Sequence, residues 1–192
     1  LINVNFPGDK YKRTQFLCGN KAGSYVTNFD KVEICCNTKF TDDQVNKVIG
    51  NAELIVSTDG SLIKDGNSSG SVTEETGYAG AGIYIHHAKS ATDFKVALPA
   101  GQNKSSYEAE IFALTEAFRW TNERICMGWF NDDGGRKTMV VLTDSQSALK
   151  MLQKLTAESN EELNLFNSIN HLAQRVDIKL QHVKSHVGIK GN

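Results

Sequence analysis

The chain has no long apolar run. No stretch approaches the roughly 18 residues a membrane helix needs, and the opening Leu1-Ile2-Asn3-Val4-Asn5-Phe6-Pro7 is too polar for a signal peptide. These two absences point to an intracellular protein, cytoplasmic or nuclear. There is no excess of charge of either sign. The formal net charge is −1, so no overall basic field draws the chain to a polyanion. That argues against a general nucleic-acid binder, but less against an enzyme whose pocket has to be acidic to hold a metal. Cysteine is sparse and unpatterned. Cys18, Cys35, Cys36 and Cys126 form no CxxC pair, which fits buried reduced thiols and excludes a disulfide scaffold or a cysteine zinc site. No pair of histidines has metal-ligand spacing, and His86, His87, His171 and His182 carry no chemical signal.

What is present is an ordinary globular composition. With 40% hydrophobic and 22% charged residues over 192 positions, the chain suits one domain with room for a small appendage. It begins without Met and stops abruptly at Asn192, as a piece of a longer protein would.

The first 51 residues read differently from the rest. Short strand-like pieces (Gln15–Cys18, Ser24–Val26, Lys31–Cys35) are broken by Gly and Asn, and a helix is expected after Thr41. That residue serves as N-cap, with Asp42 and Asp43 placed to suit the helix dipole. No chemical motif occurs here, so residues 1–51 are read as an N-terminal appendage or linking subdomain and residues 52–192 as the main domain.

From Glu53 the pattern sharpens. Leu54–Thr58 is a strand ending in Asp59-Gly60-Ser61. Residues 64–77 are a Gly-, Ser- and Asn-rich loop. Ala81–Ile85 and Phe94–Leu98 are further strands, antiparallel by their short connections. A helix capped by Ser105 or Ser106 runs to about Asn122, with Ile111, Leu114, Thr115 and Phe118 on one apolar face. Residues 131–135 form a turn. Thr138–Thr143 is a strand buried on both faces. Helices over Ser145–Leu155 and Glu161–Gln174 precede a fifth strand, Asp177–Val183. The order βββαβααβ predicts an α/β chain with a five-stranded mixed sheet flanked by helices.

Two carboxylates follow runs of buried β-formers and a threonine: Asp59 in Thr58-Asp59-Gly60-Ser61, and Asp144 in Leu142-Thr143-Asp144-Ser145. A carboxylate there is held on a rigid element while its head reaches a cleft. One such Asp is ordinarily a helix N-cap; two in the same setting are harder to dismiss. Glu108 and Glu110 both lie in the first turns of the helix after Ser105, and position alone does not choose between them, since either suits the helix dipole. His186 sits in the Gly-containing segment Ser185–Asn192, where a lone His is ordinarily incidental.

Four blocks together resemble the ribonuclease H family, and most closely the versions fused to reverse transcriptases in retroelements. Thr58-Asp59-Gly60-Ser61 is similar to the family's first-strand signature, with Gly77–Ile85 as its glycine-rich second strand. Ala109-Glu110-Ile111-Phe112-Ala113-Leu114 resembles its Ala-Glu-Leu helix, which selects Glu110 over Glu108. Leu142–Ala148 resembles the third block, and His186-Val187-Gly188-Ile189-Lys190-Gly191-Asn192 the histidine loop. The resemblance covers residues 53–192. Three departures stand out. The family's fourth carboxylate would lie beyond Asn192. Its tryptophan before the histidine loop is replaced around His182. The span from Asp144 to His186 is too short for the extra basic helix of some members, leaving Lys150 and Lys154 as the basic residues of the helix after Asp144.

The resemblance implies a metal-dependent nuclease cutting the RNA strand of an RNA–DNA hybrid, leaving a 3′-hydroxyl and a 5′-phosphate. It implies two Mg²⁺ ions (Mn²⁺ as substitute) roughly 3.5–4 Å apart. Asp59 would bridge them, with Glu110 and Asp144 completing the site; hard oxygen donors favour these ions over zinc. His186 would assist proton transfer or product release. Backbone groups of Gly60 and Ser61, with Ser105, Ser106 and Tyr107, are candidates for contacts to 2′-hydroxyls, although helix capping explains the latter three equally well. With little basic surface, a covalently linked reverse transcriptase domain is the expected source of grip. The alternative is a catalytically silent binding or scaffolding module on the same fold. An integrase- or exonuclease-like enzyme fits Gly60-Ser61 and the His186 loop poorly. A nucleotide-binding role for Gly77, Gly80 and Gly82 fails, since they lie within a strand.

Overall fold

The computed structural model describes residues 29–36, 41–64, 77–102, 104–128 and 136–184. In chain order the elements are β1 (Val32–Cys35), α1 (Asp42–Ile49), β2 (Leu54–Lys64), β3 (Gly77–His87), β4 (Thr92–Gln102), α2 (Ser106–Cys126), β5 (Lys137–Thr143), α3 (Gln146–Lys154), α4 (Asn160–Ala173) and β6 (Val176–His182). The strand-like pieces expected at residues 15–18 and 24–26, the interior (65–76) of the loop expected at 64–77, the turn at 131–135 and the histidine loop at 185–192 lie outside the described residues, while Lys64 and Gly77 end and begin strands.

The strands form one mixed sheet in the order β1-β6-β5-β2-β3-β4. β1, β6, β5 and β2 run parallel, and β2, β3 and β4 form an antiparallel meander. The sheet therefore has six strands rather than the expected five. The additional one, β1, comes from the segment before residue 52 and pairs with β6 from Val32↔Ile178 to Cys35↔Gln181. Its short apolar run carries no local sign of the partner, because that strand lies some 145 positions later in the chain. A Glu33–Lys179 ion pair at 2.8 Å accompanies that register.

Alternation along β5 separates two cores. Met139 and Val141 join the larger cluster, with Leu54 and Val56 of β2, Ile83 and Ile85 of β3, and the apolar faces of α2, α3 and α4. Val140 and Leu142 point the other way, into a smaller cluster with Val45 and Ile55. Such a strand, covered on both faces, has to be apolar throughout. The predicted stripe of α2 faces the larger core: Ile111, Leu114 and Phe118 are buried and Thr115 nearly so. The first turns of three helices are set by local chemistry. Thr41, Ser105 and Ser159 each close a capping box with Gln44, Glu108 and Glu162 respectively, satisfying otherwise orphaned amides.

Phe118, fully buried on α2, anchors the helix that carries Glu110. Phe118→Ala is expected to cost about 3–5 kcal/mol by loss of transfer energy plus cavity. Urea unfolding of the two proteins measures this, and a loss below about 1 kcal/mol contradicts the packing described.

Candidate metal centre

The parallel pairing of β2 with β5 runs from Leu54↔Met139 to Thr58↔Thr143 and stops there. The next residue on each strand is a carboxylate, Asp59 and Asp144. Register alone thus delivers two acids, 85 positions apart, to one point at the carboxyl ends of neighbouring strands. The expectation that β2 ends at Asp59 needs correction. The strand continues to Lys64 against β3, with Asp59 opposite Gly82. Asp59 is exposed and Asp144 partly buried. The N-cap of α3 is Ser145, whose hydroxyl accepts from the Ala148 amide at 3.4 Å, so the capping role weighed for Asp144 falls to its neighbour.

The third acid arrives on α2. Beyond Thr58 the main chain of β2 has lost its β5 partner, and the Gly60 N–H donates instead to Glu110 Oε1 at 3.0 Å. This contact demands a glycine. A Cβ on residue 60 would lie 2.4 Å from the Glu110 nitrogen and 2.6 Å from the Ala109 carbonyl carbon, closer than real atoms approach. Glu108 is committed elsewhere: its carboxylate accepts from the Ser105 amide at 2.7 Å and from Lys104 Nζ at 3.4 Å, which holds its pKa below the ordinary value. Local capping chemistry therefore separates the two glutamates that sequence position could not.

One carboxylate oxygen each from Asp59, Glu110 and Asp144 lie within 4.8 Å of one another. Among the described residues this is the one cluster of three or more potential metal ligands. Burial, opposed by the Gly60 hydrogen bond and reinforced by repulsion from Asp144 and Asp59, pushes Glu110 up to about 7. Its Oε2 is buried with no hydrogen-bond partner among the described residues. Three converging carboxylates with an unsatisfied inward oxygen are a poor arrangement for a protein alone and a fitting one for a hard divalent cation.

The other expected site residues are placed as follows. Gly60 sits in the cluster as the donor to Glu110, a role the sequence reading missed; the available signal was a glycine directly after an acid in mid-strand. Ser61 is exposed on β2 opposite Gly80. The Ser105 hydroxyl accepts from the Glu108 amide at 3.1 Å as N-cap, and Ser106 is exposed at the first position of α2. The Tyr107 hydroxyl donates to Glu162 Oε1 at 2.7 Å; burial and that carboxylate raise its pKa. His186 lies outside the described residues. No helix among the described residues is long and apolar enough to cross a membrane.

Two predictions follow from this geometry. Between pH 4.5, the ordinary glutamate value, and about 7 the folded metal-free protein holds a proton on Glu110 that the unfolded chain has lost, so folding stability falls as pH rises through that window. Glu110→Gln should remove this dependence, raising metal-free stability near pH 8 by about 1–3 kcal/mol while removing the Mn²⁺-induced rise in Tm. Thermal melts in EDTA and in Mn²⁺ on both sides of the window decide it; an unchanged Mn²⁺ effect contradicts the ligand assignment. Gly60→Ala should destabilise by about 1–3 kcal/mol through overpacking and weaken Mn²⁺ binding, read by calorimetry; retention of both would show that the close approach is not required.

Comparison with known proteins agrees with this arrangement. The RNase H family model matches residues 51–192. None of the curated proteins matches the chain in sequence. Among solved structures it is similar to RNase H1 from the halophilic archaeon Halobacterium salinarum NRC-1, at 17% identity over 69% of this chain and 86% of that one, with a TM-score of 0.47. It is also similar to LC11-RNase H1 in complex with an RNA/DNA hybrid, at 21% identity over 69% and 86% of the two chains and a TM-score of 0.47. Those likenesses are loose, and the assignment rests on the family match, which spans most of the chain and takes in all three clustered carboxylates: the chain belongs to the RNase H family.

Proposed function

We propose that this chain is a metal-dependent endonuclease that hydrolyses the RNA strand of RNA–DNA hybrids, as part of a retroelement reverse transcriptase polyprotein. The observation that carries the reading is the meeting of Asp59, Glu110 and Asp144 within 4.8 Å in a chain of the RNase H family. A relative of similar fold has been solved with an RNA/DNA hybrid bound, which accords with the substrate proposed.

Asp59, Glu110 and Asp144 would hold two divalent ions, Mg²⁺ or Mn²⁺, which supply an activated water and stabilise charge on the phosphate and the leaving oxygen. Asp59 would be the central ligand of the set, with Glu110 and Asp144 completing it. Glu110 is aimed by the Gly60 N–H, so its carboxylate is positioned before any substrate arrives. His186, on the segment after β6, would carry a proton or release product. The exposed Ser61 and Ser106, with the main chain of Gly60, would read 2′-hydroxyls and so separate RNA from DNA. Ser105 and Tyr107 support that edge by capping α2 and tying it to α4. The products are a 3′-hydroxyl and a 5′-phosphate. Residues 52–192 would form the catalytic domain, its sheet completed by β1 from the segment before residue 52.

With a net charge of −1, the chain's own affinity for a hybrid should be weak and steeply salt-dependent, the grip coming from a linked polymerase domain. Incubated with Mg²⁺, the protein is expected to cut the RNA strand of a hybrid and to spare duplex RNA and duplex DNA, and Asp59→Asn to abolish cutting while leaving the melting profile cooperative. Cleavage retained in Asp59→Asn overturns the reading. A chain that binds a hybrid but never cuts it would instead be a silent module on this fold.

A further inference from the structure

Every described glycine but one has a reason inside the protein. Gly60 and Gly77 lie where a Cβ would come within 2.4 Å and 2.7 Å of neighbouring main chain. Gly101 and Gly128 have positive φ angles of 109° and 91°. Gly50 ends α1, with the Asn46 carbonyl 3.3 Å from its Cβ position. Gly80 sits at the irregularity where the β3–β4 register shifts. Gly82 has none of these. It lies in regular antiparallel pairing on both sides, Asp59↔Gly82 and Gly82↔Ala97. Among the described residues, the nearest heavy atom to a Cβ there is the Asp59 carbonyl oxygen, at an ordinary contact distance of 3.8 Å. A glycine inside a strand costs stability, because it orders a freer backbone and packs nothing. Among the described residues there is room for a Cβ here, and none is present.

The missing side chain would project on the face that Asp59 occupies, since directly opposed residues of an antiparallel pair share a face. That face leads to the metal centre. The Glu110 side chain, nine-tenths buried, contributes a carboxylate oxygen to the same cluster as Asp59, and its Oε2 has no hydrogen-bond partner among the described residues. Away from Asp59 the same face continues through Ser61↔Gly80 to Ile63↔Tyr78, a pair of large side chains 69% and 53% exposed. By strand rise, that pair lies roughly 13 Å from Asp59. Open main chain therefore sits between an acidic centre and an apolar step.

Resting on the nuclease reading above, we propose that Gly82 is a substrate-contact residue. The sugar–phosphate backbone of a nucleic acid seated at Asp59, Glu110 and Asp144 lies directly on the main chain of β3 there. Ile63 and Tyr78 form the far edge of that contact, against the sugar faces of the same strand. A side chain at position 82 would lift the nucleic acid off the carboxylates, while its Cβ meets the described residues only at an ordinary contact distance.

A graded series, Gly82→Ala, Gly82→Val and Gly82→Leu, tests this with a short fluorescein-labelled RNA–DNA hybrid, by anisotropy in low-salt EDTA. Thermal melts should show each variant at least as stable as the native chain, and Mn²⁺ titration without nucleic acid should be unchanged. Hybrid affinity should fall with side-chain size, by at least about tenfold at Gly82→Leu, and KM should rise in step. Native-like affinity across a folded series overturns the inference. If Gly82→Leu does not fold, Gly82→Ala decides: weakened binding supports the contact, and native binding sinks it. A native chain that neither binds nor cuts the hybrid removes the nuclease reading and this inference together, whereas a native chain that binds while the series binds equally removes the inference alone.

Discussion

Mutual repulsion among three carboxylates is the constraint on which the rest of this molecule depends. At separations under 4.8 Å the charged carboxylates repel one another, with solvent screening the repulsion at the exposed Asp59. One charge-assisted hydrogen bond, such as that from the Gly60 amide to Glu110, returns about 1.5–3 kcal/mol. The acids are held together by the elements packed behind them. Protonation of Glu110, whose pKa is pushed up to about 7, is the partial relief open to the metal-free chain. A divalent cation is the complete one.

The scaffold meets this load with rigid elements. β2 and β5 are held in register by parallel pairing, and their side chains are buried in two cores on opposite faces. Asp59 and Asp144 project from the point where that pairing stops. Glu110 is on a long helix fixed at its start by the Ser105 capping box and along its length by Ile111, Leu114 and Phe118. The two units touch at Gly60, where the absence of a side chain lets strand and helix approach to main-chain contact. Each acid thus stands on an element that cannot retreat from the others without opening a core. A strained electrostatic site built on rigid supports is the arrangement preorganised catalysis calls for.

Beyond the centre, glycine separates the demands of folding from those of binding. Gly60 and Gly77 answer to the protein's own close contacts. Gly82, in the same sheet and directly opposite Asp59, meets no close contact among the described residues that would require a glycine. A sequence presents all of them as one glycine-rich pattern. Only coordinates distinguish a glycine that the fold requires from one that the fold merely tolerates.

Much of the architecture was legible in the residues because it is written in short-range patterns. The period of Ile111, Leu114, Thr115 and Phe118 predicted α2 and its buried face, Thr41 and the Ser105–Ser106 pair marked helix starts, and the unbroken apolar run before Asp144 predicted a strand covered on both sides. The two strand-borne acids were visible as carboxylates after buried β-formers, and the resemblance of four ordered blocks picked out Glu110. Other features depended on partners distant in the chain. The sixth strand exists because β1 pairs with β6, and β2 runs past Asp59 because β3 accompanies it. Glu110 rather than Glu108 enters the centre because Glu108 is spent on capping. A local sequence determines which residues prefer helix, strand or cap; whether three acids share a pocket is set by register and packing between segments up to 85 positions apart, and that was decided by the tertiary structure.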